Sequence, residues 1–168
     1  ASALQSGGGS VTGNVTFGGN VSVDGGTIKL DGNYPVGSNN VALGDAALDS
    51  NVSGGQNTAI GSDALTANTA SYNTAVGYQA GYSSTAGNQV FVGRGAGYSI
   101  TTNNANTMVG DIAGNKTTGG QNTFFGQQAG YWVTSGSKNT IIGRYDGNQD
   151  GLDIRTSSNN IVLSDGDG

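Results

Sequence analysis

Three aspartates, Asp45, Asp63 and Asp111, closely follow glycines in a chain that contains no histidine, cysteine or glutamate. Two carboxyl groups can hydrolyse a glycosidic bond, one protonating the leaving oxygen while the other attacks or activates water, if they stand about 5 to 9.5 Å apart. Asp45 and Asp111 come one residue after their glycines and Asp63 comes two, so the offsets do not match and imply no pair. The expectation is a chain that is not an enzyme.

A second arrangement suits a metal ion. Asp146-Gly-Asn148-Gln-Asp150-Gly151 places oxygen ligands at alternate positions, as in the first half of a calcium loop. The twelfth position, where such a loop carries a bidentate glutamate, is Ser157. Calcium held by Asp146, Asn148 and Asp150 is therefore weighed against an Asx-rich turn, which is the favoured reading. No other cofactor is expected.

Aromatic residues supply the third candidate. Tyr78, Tyr82, Tyr98, Tyr131 and Trp132 recur at related places along the chain. Rings stacked at such spacing could contact sugar faces of a cell-surface glycan or another host receptor, or could cover junctions between neighbouring chains.

Composition removes other classes. Without cysteine or histidine there are no disulfides, no thiol chemistry and no usual zinc sites. A net charge of −5, with six basic residues scattered from Lys29 to Arg155, offers no footprint for nucleic acid. No apolar run approaches the roughly 20 residues of a membrane helix, so membrane insertion is not expected. Glycine fills 32 positions, with one proline and 10% charged residues. Disordered chains usually carry more charge and proline, whereas glycine and asparagine mark a chain that turns often.

The element that must position these residues is a repeat. A five-residue word runs Asn40-Val-Ala-Leu-Gly44, Asn57-Thr-Ala-Ile-Gly61, Asn73-Thr-Ala-Val-Gly77, Gln89-Val-Phe-Val-Gly93, Asn106-Thr-Met-Val-Gly110, Asn122-Thr-Phe-Phe-Gly126, Asn139-Thr-Ile-Ile-Gly143 and Asn160-Ile-Val-Leu-Ser164. The intervals between first residues are 17, 16, 16, 17, 16, 17 and 21. Three residues past the glycine of each of the first six words lies an alanine, from Ala47 to Ala129, followed by leucine or glycine. The remaining Ser, Thr, Asn and Gly residues leave room for a second short strand and a turn. One repeat equals one coil, so the fold expected is all-β: a parallel β-solenoid or β-roll of 16–17-residue coils.

Alternation along a strand puts Thr58 and Ile60 on one face and Asn57, Ala59 and Gly61 on the other. Stacking then makes one ladder of Leu43, Ile60, Val76, Val92, Val109, Phe125, Ile142 and Leu163. A second contains Ala42, Ala59, Ala75, Phe91, Met108, Phe124, Ile141 and Val162. So thin a coil encloses one ladder, and the second would form a bare apolar stripe, which soluble proteins rarely expose. The second ladder is expected to face outward and be covered in a homotrimer, with the chains closest at the alanines and further apart beyond Phe91. The asparagines heading the words, Asn57, Asn73, Asn106, Asn122 and Asn139, are expected to form an amide ladder, each side chain bonded to its copy about 4.8 Å above.

The ends differ from the middle. Residues 1–37 contain short strands punctuated by glycine, such as Asn14-Val-Thr-Phe17 and Asn20-Val-Ser-Val23, and are expected to form a trimeric β shaft and neck. Residues 38–146 are the repeat domain. Residues 147–168 hold the last coil and a junction to whatever follows.

The words Asn57-Thr-Ala-Ile-Gly61 and Asn73-Thr-Ala-Val-Gly77 resemble the head repeats of YadA-like trimeric autotransporter adhesins. Those adhesins have shorter coils with the word Asn-Ser-Val-Ala-Ile-Gly. The longer form, Asn73-Thr-Ala-Val-Gly-Tyr-Gln-Ala-Gly81, is more similar to repeats in bacteriophage tail fibres and related bacterial surface proteins. Leu152-Asp-Ile-Arg155 and the run from Asn159 to Gly168 resemble the stretch before a self-cleaving intramolecular chaperone of the endosialidase type. The resemblance implies a homotrimeric tail-fibre segment on a virion that contacts a host surface. The alternatives are the head of a bacterial adhesin at the cell surface and a subunit of an extracellular filament.

Overall fold

The computed structural model describes residues 37–165. The expected shaft and most of the neck, and the last residues of the junction, lie outside the described residues.

Each word forms one three-residue strand: β1 (Val41–Leu43), β2 (Thr58–Ile60), β3 (Thr74–Val76), β4 (Val90–Val92), β5 (Thr107–Val109), β6 (Thr123–Phe125) and β7 (Thr140–Ile142). A hairpin of β8 (Asn148–Gln149) and β9 (Leu152–Asp153) follows, and then β10 (Ile161–Leu163). The seven word strands and β10 make one parallel sheet in chain order, broken only by the hairpin's separate sheet. Register is that of the repeat: Ala42 pairs with Ala59, Ala75 with Phe91, Met108 with Phe124 and Ile141 with Val162. The molecule is a β-solenoid of about seven turns.

The second short strand for which the sequence leaves room is absent from the first six coils. Its place is taken by turns, which still stack by backbone hydrogen bonds from coil to coil, as from Leu48 N–H to Ala64 O (3.0 Å) and Leu65 N–H to Ala80 O (3.0 Å). The path closes within about 17 residues because several positions per coil take left-handed backbone. One is the residue just before each word, with φ of 60° at Gln56, 66° at Tyr72 and 58° at Lys138. Such backbone costs a non-glycine residue about 1 kcal/mol, which the inter-coil bonding must offset. The word's glycine is fixed by contact: a Cβ at Gly93 would collide with the backbone of Gly110, its copy in the next coil.

The ladders are inverted relative to the sequence expectation. Ala59, Ala75, Phe91, Met108, Phe124 and Ile141 are wholly buried inside the coils. Ile60 (38% exposed), Phe125 (56%) and Ile142 (48%) face outward, in line with half-buried Val76 and Val109. The reason lies on the opposite wall. Leu48 and Leu65, directly after the alanine anchors, are wholly buried in the same core as Ala59, with Ala42 packed against it. Where the strand residue becomes Phe91, Met108 or Phe124, the facing position is Gly97, Gly114 or Gly130, and a Cβ there would strike the large side chain. The expected widening between chains beyond Phe91 therefore has no basis, since that growth happens indoors.

Candidate contact surfaces

The asparagine column is buried and closes the corner where each strand begins. Each side-chain oxygen accepts the backbone N–H of the next copy, at 2.9 Å from Asn73 to Asn57, 3.0 Å from Asn122 to Asn106 and 2.9 Å from Asn139 to Asn122. The amide N–H groups instead cross the coil, as from Asn57 to Ala70 O (2.9 Å), Asn73 to the Asn68 side chain (2.9 Å) and Asn122 to Gly136 O (2.9 Å). The amide-to-amide ladder expected from the sequence occurs once, from Asn160 to Asn139. The difference follows from geometry: the amide oxygen reaches the otherwise orphaned N–H above it, and satisfying buried backbone groups takes precedence. Gln89 keeps the pattern, accepting from Asn106 N–H at 2.9 Å. From Asn40 to Asn139 these side chains are buried and spent on structure.

The outward ladder is a surface in its own right. Leu43, Ile60, Val76, Val92, Val109, Phe125, Ile142 and Leu163 occupy eight successive rungs of one sheet. At about 4.8 Å per rung this stripe is roughly 34 Å long. Apolar patches of that extent on soluble proteins usually mark a site of association.

The aromatic residues divide into groups. Tyr82 and Tyr98 stack on adjacent coils, with centroids 5.0 Å apart and planes within 4°. In the next coil the equivalent position is Asn115, bonded to Gly95 O, which ends the stack. Tyr131 and Trp132 meet edge to face at 4.8 Å. Tyr78 stands in another column, one coil before Arg94, which itself pairs with Asp111 at 2.9 Å. The structure thus brings together two pairs and leaves Tyr78 apart, so there is no single platform of five.

Asp111 is engaged by Arg94, and Asp45 and Asp63 sit at adjacent coils, where Asp63 N–H donates to Asp45 O (2.8 Å). The Asp146–Gly151 motif forms the hairpin. Asp146 Oδ1 accepts Asn148 N–H (2.9 Å), Asn148 pairs with Asp153, and Asp150 (φ 49°) with Gly151 (φ 86°) makes the tight turn. Two left-handed residues in an Asp-Gly pair are what a two-residue hairpin turn needs. Among the described residues no three Asp, Glu, His or Cys gather to hold a metal.

No protein-family model, curated protein or solved structure matches the chain. The hairpin is an insertion in the seventh coil, which explains the interval of 21 residues. Tyr145 takes the alanine anchor's place, is buried, and donates its hydroxyl to Leu152 O at 2.6 Å, tying the hairpin's far strand to the core. Burial raises its phenol above the ordinary value, against a backbone bond with Gln149, with Asp146 and Asp153 reinforcing the rise. The chain re-enters at buried Ile154, which stacks one coil beyond Val133.

Beside the hairpin, Arg155 donates to Asp153 through Nε (3.0 Å) and Nη2 (2.7 Å). That pairing holds the exposed Asp153 carboxyl at about 2, well below its ordinary 3.8. Two depressions of about 240 and 230 Å³ share Trp132 and Arg155. Thr134, Asp153 and Thr156 complete the first, Asp146 and Asn148 the second. Sequence reasoning named Trp132, Asp146 and Asn148 for separate reasons and missed that they share a site with Asp153 and Arg155. The available signal was the lengthened last interval containing Asp150-Gly151, a hairpin turn pair.

Proposed function

We propose that the chain is a non-catalytic structural segment of a homotrimeric fibre of the bacteriophage tail-fibre kind, stiffening a virion projection and presenting a receptor-contacting wall. The observation that carries this is the outward apolar stripe on eight rungs of one parallel sheet. A monomer would leave Phe125, Ile142 and Leu163 in water, whereas sister chains packed about an axis parallel to the solenoid would cover the whole row at once. Rigidity suits the role: inter-coil bonds run through strands, turns and the asparagine column alike. Sedimentation equilibrium tests it directly. The expected mass is that of a trimer, and a monomer across micromolar concentrations would contradict the reading.

A second reading is an extracellular filament built end to end. It draws on the sheet's edges, since β1 and β10 each have a strand neighbour on one side only among the described residues. Negative-stain microscopy separates the two: discrete rods of uniform length fit the fibre segment, and filaments of unlimited length fit the alternative.

A further inference from the structure

We propose that the two depressions sharing Trp132 and Arg155 form one binding site for a neutral oligosaccharide, with Trp132 as the stacking surface and the hairpin as its polar rim. The inference rests on the receptor-contacting part of the proposed function and names the site and the ligand chemistry.

A sugar ring presents an apolar C–H face and a girdle of hydroxyls, so its receptor needs an exposed aromatic face beside fixed donors and acceptors. Trp132 is about half exposed, and its indole is steadied edge-on by Tyr131. Around it stand groups of both kinds. Pairing with Asp153 occupies Nε and Nη2 of Arg155 and leaves Nη1 as a donor. Asn148 offers a whole side-chain amide, since its hairpin bonds use the backbone. Asp146 keeps Oδ2 while Oδ1 holds the turn. Thr156 adds a hydroxyl.

The rim is held in place before any ligand arrives. Tyr145 anchors the hairpin from below, and Asp153 fixes Arg155. Charge then selects the ligand class. Asp146 and Asp153 face a single Arg155, so an acidic sugar would meet a net negative rim whose one cation is already paired. A neutral one meets only hydrogen-bonding groups.

Position leaves the site free in an assembly. Phe124 points inward from β6 onto Gly130, two residues before Trp132 in the chain, so Trp132's wall lies across the core from the apolar stripe. Sister chains docked on the stripe do not cover it.

Trp132 is the chain's only tryptophan, so tryptophan emission, excited selectively over the tyrosines, reports on this site alone. The assembled protein would be titrated with maltotriose, cellotriose and chitotriose, and with sialyllactose as the acidic comparison. A few hydrogen bonds and one stacked ring predict a Kd on the order of 1 mM for at least one neutral sugar. Asn148→Ala and Arg155→Ala, which keep the reporter, should weaken it at least tenfold. Trp132→Ala should abolish the saturation-transfer NMR signal of the same sugar. Flat titrations with all three neutral sugars, affinity unchanged in both rim variants, or tighter binding of sialyllactose would each overturn the proposal. The sedimentation mass of the same sample keeps the two readings apart: a trimer with a silent tryptophan sinks the site alone, and a monomer that binds sugar sinks the trimeric fibre alone.

Discussion

Coils two and six enclose the same interior with opposite allocations of volume. Coil two has a small strand residue, Ala59, and a large one on the facing wall, Leu65, whereas coil six has large Phe124 facing Gly130. Coil three is the hand-over, where Ala75 and Gly81 are both small because Leu65 from below and Phe91 from above fill the space. The lesson is that this solenoid conserves the packed volume of each layer while the residue supplying it switches walls. Interiors packed like crystals tolerate such exchanges only in compensating pairs.

The largest expected effect comes from breaking one such pair. Phe124→Ala should cost about 3–5 kcal/mol in denaturant unfolding, because Gly130 has no side chain to fill the void. Adding Gly130→Leu should recover much of that loss: Leu65 occupies the equivalent position at φ 51°, so the backbone accepts leucine there. The reverse error should be smaller. Ala59→Phe beside Leu65 overpacks coil two by about 1–3 kcal/mol, and adding Leu65→Gly should relieve it, with a coupling of about 1–3 kcal/mol in the double-mutant cycle. Strict additivity in both cycles would mean that the facing positions do not share one space.

Ser84 stands where another inner column passes from asparagine to isoleucine. It lies between Asn68 and Ile100, and its buried hydroxyl has no hydrogen-bond partner. Ser84→Ala should therefore stabilise the protein by about 1 kcal/mol, raising Tm by about 2–4 °C in calorimetry. The smallest effect sets the hairpin against the coils. Asp153 has a folded value of about 2 below an ordinary 3.8, so its support of Arg155 is present above pH 3.8 and is lost as pH falls toward about 2. Among the described residues no Asp, Lys or Arg is buried. Trp132 emission should change over that window while the far-ultraviolet circular dichroism of the coils does not.

Much of the fold was legible because the repeat carries it. The words from Asn40 to Ser164 set the strands, their parallel order and their register, since each coil can bond only to its copy. Which ladder lies inside was not legible from alternation, which says that Thr58 and Ile60 share a face without saying which way it looks. The bulky Leu, Ile and Val ladder invited the wrong choice. The deciding signal was in view: leucine after the alanine anchor gives way to glycine in the coils around which strand alanine gives way to phenylalanine and methionine. The asparagine column was legible as a column, but its bonding was not, because that depends on which N–H each turn leaves unpaired. For the candidate site, Trp132 and the Asp146–Asp150 motif were each visible, and their meeting was not. Sequence spacing does not show that the inserted hairpin folds back beside the preceding coil's wall.

The central claim is that adjacent residues of one strand serve two purposes, Ala75 holding the coil together and Val76 holding chains to one another. Sedimentation equilibrium combined with circular dichroism on Val76→Asp tests it most directly. The account predicts a native spectrum at the mass of a single chain, with Ala75→Asp unfolded beside it. A Val76→Asp protein that loses the native spectrum, or one that still sediments as a trimer, would contradict it.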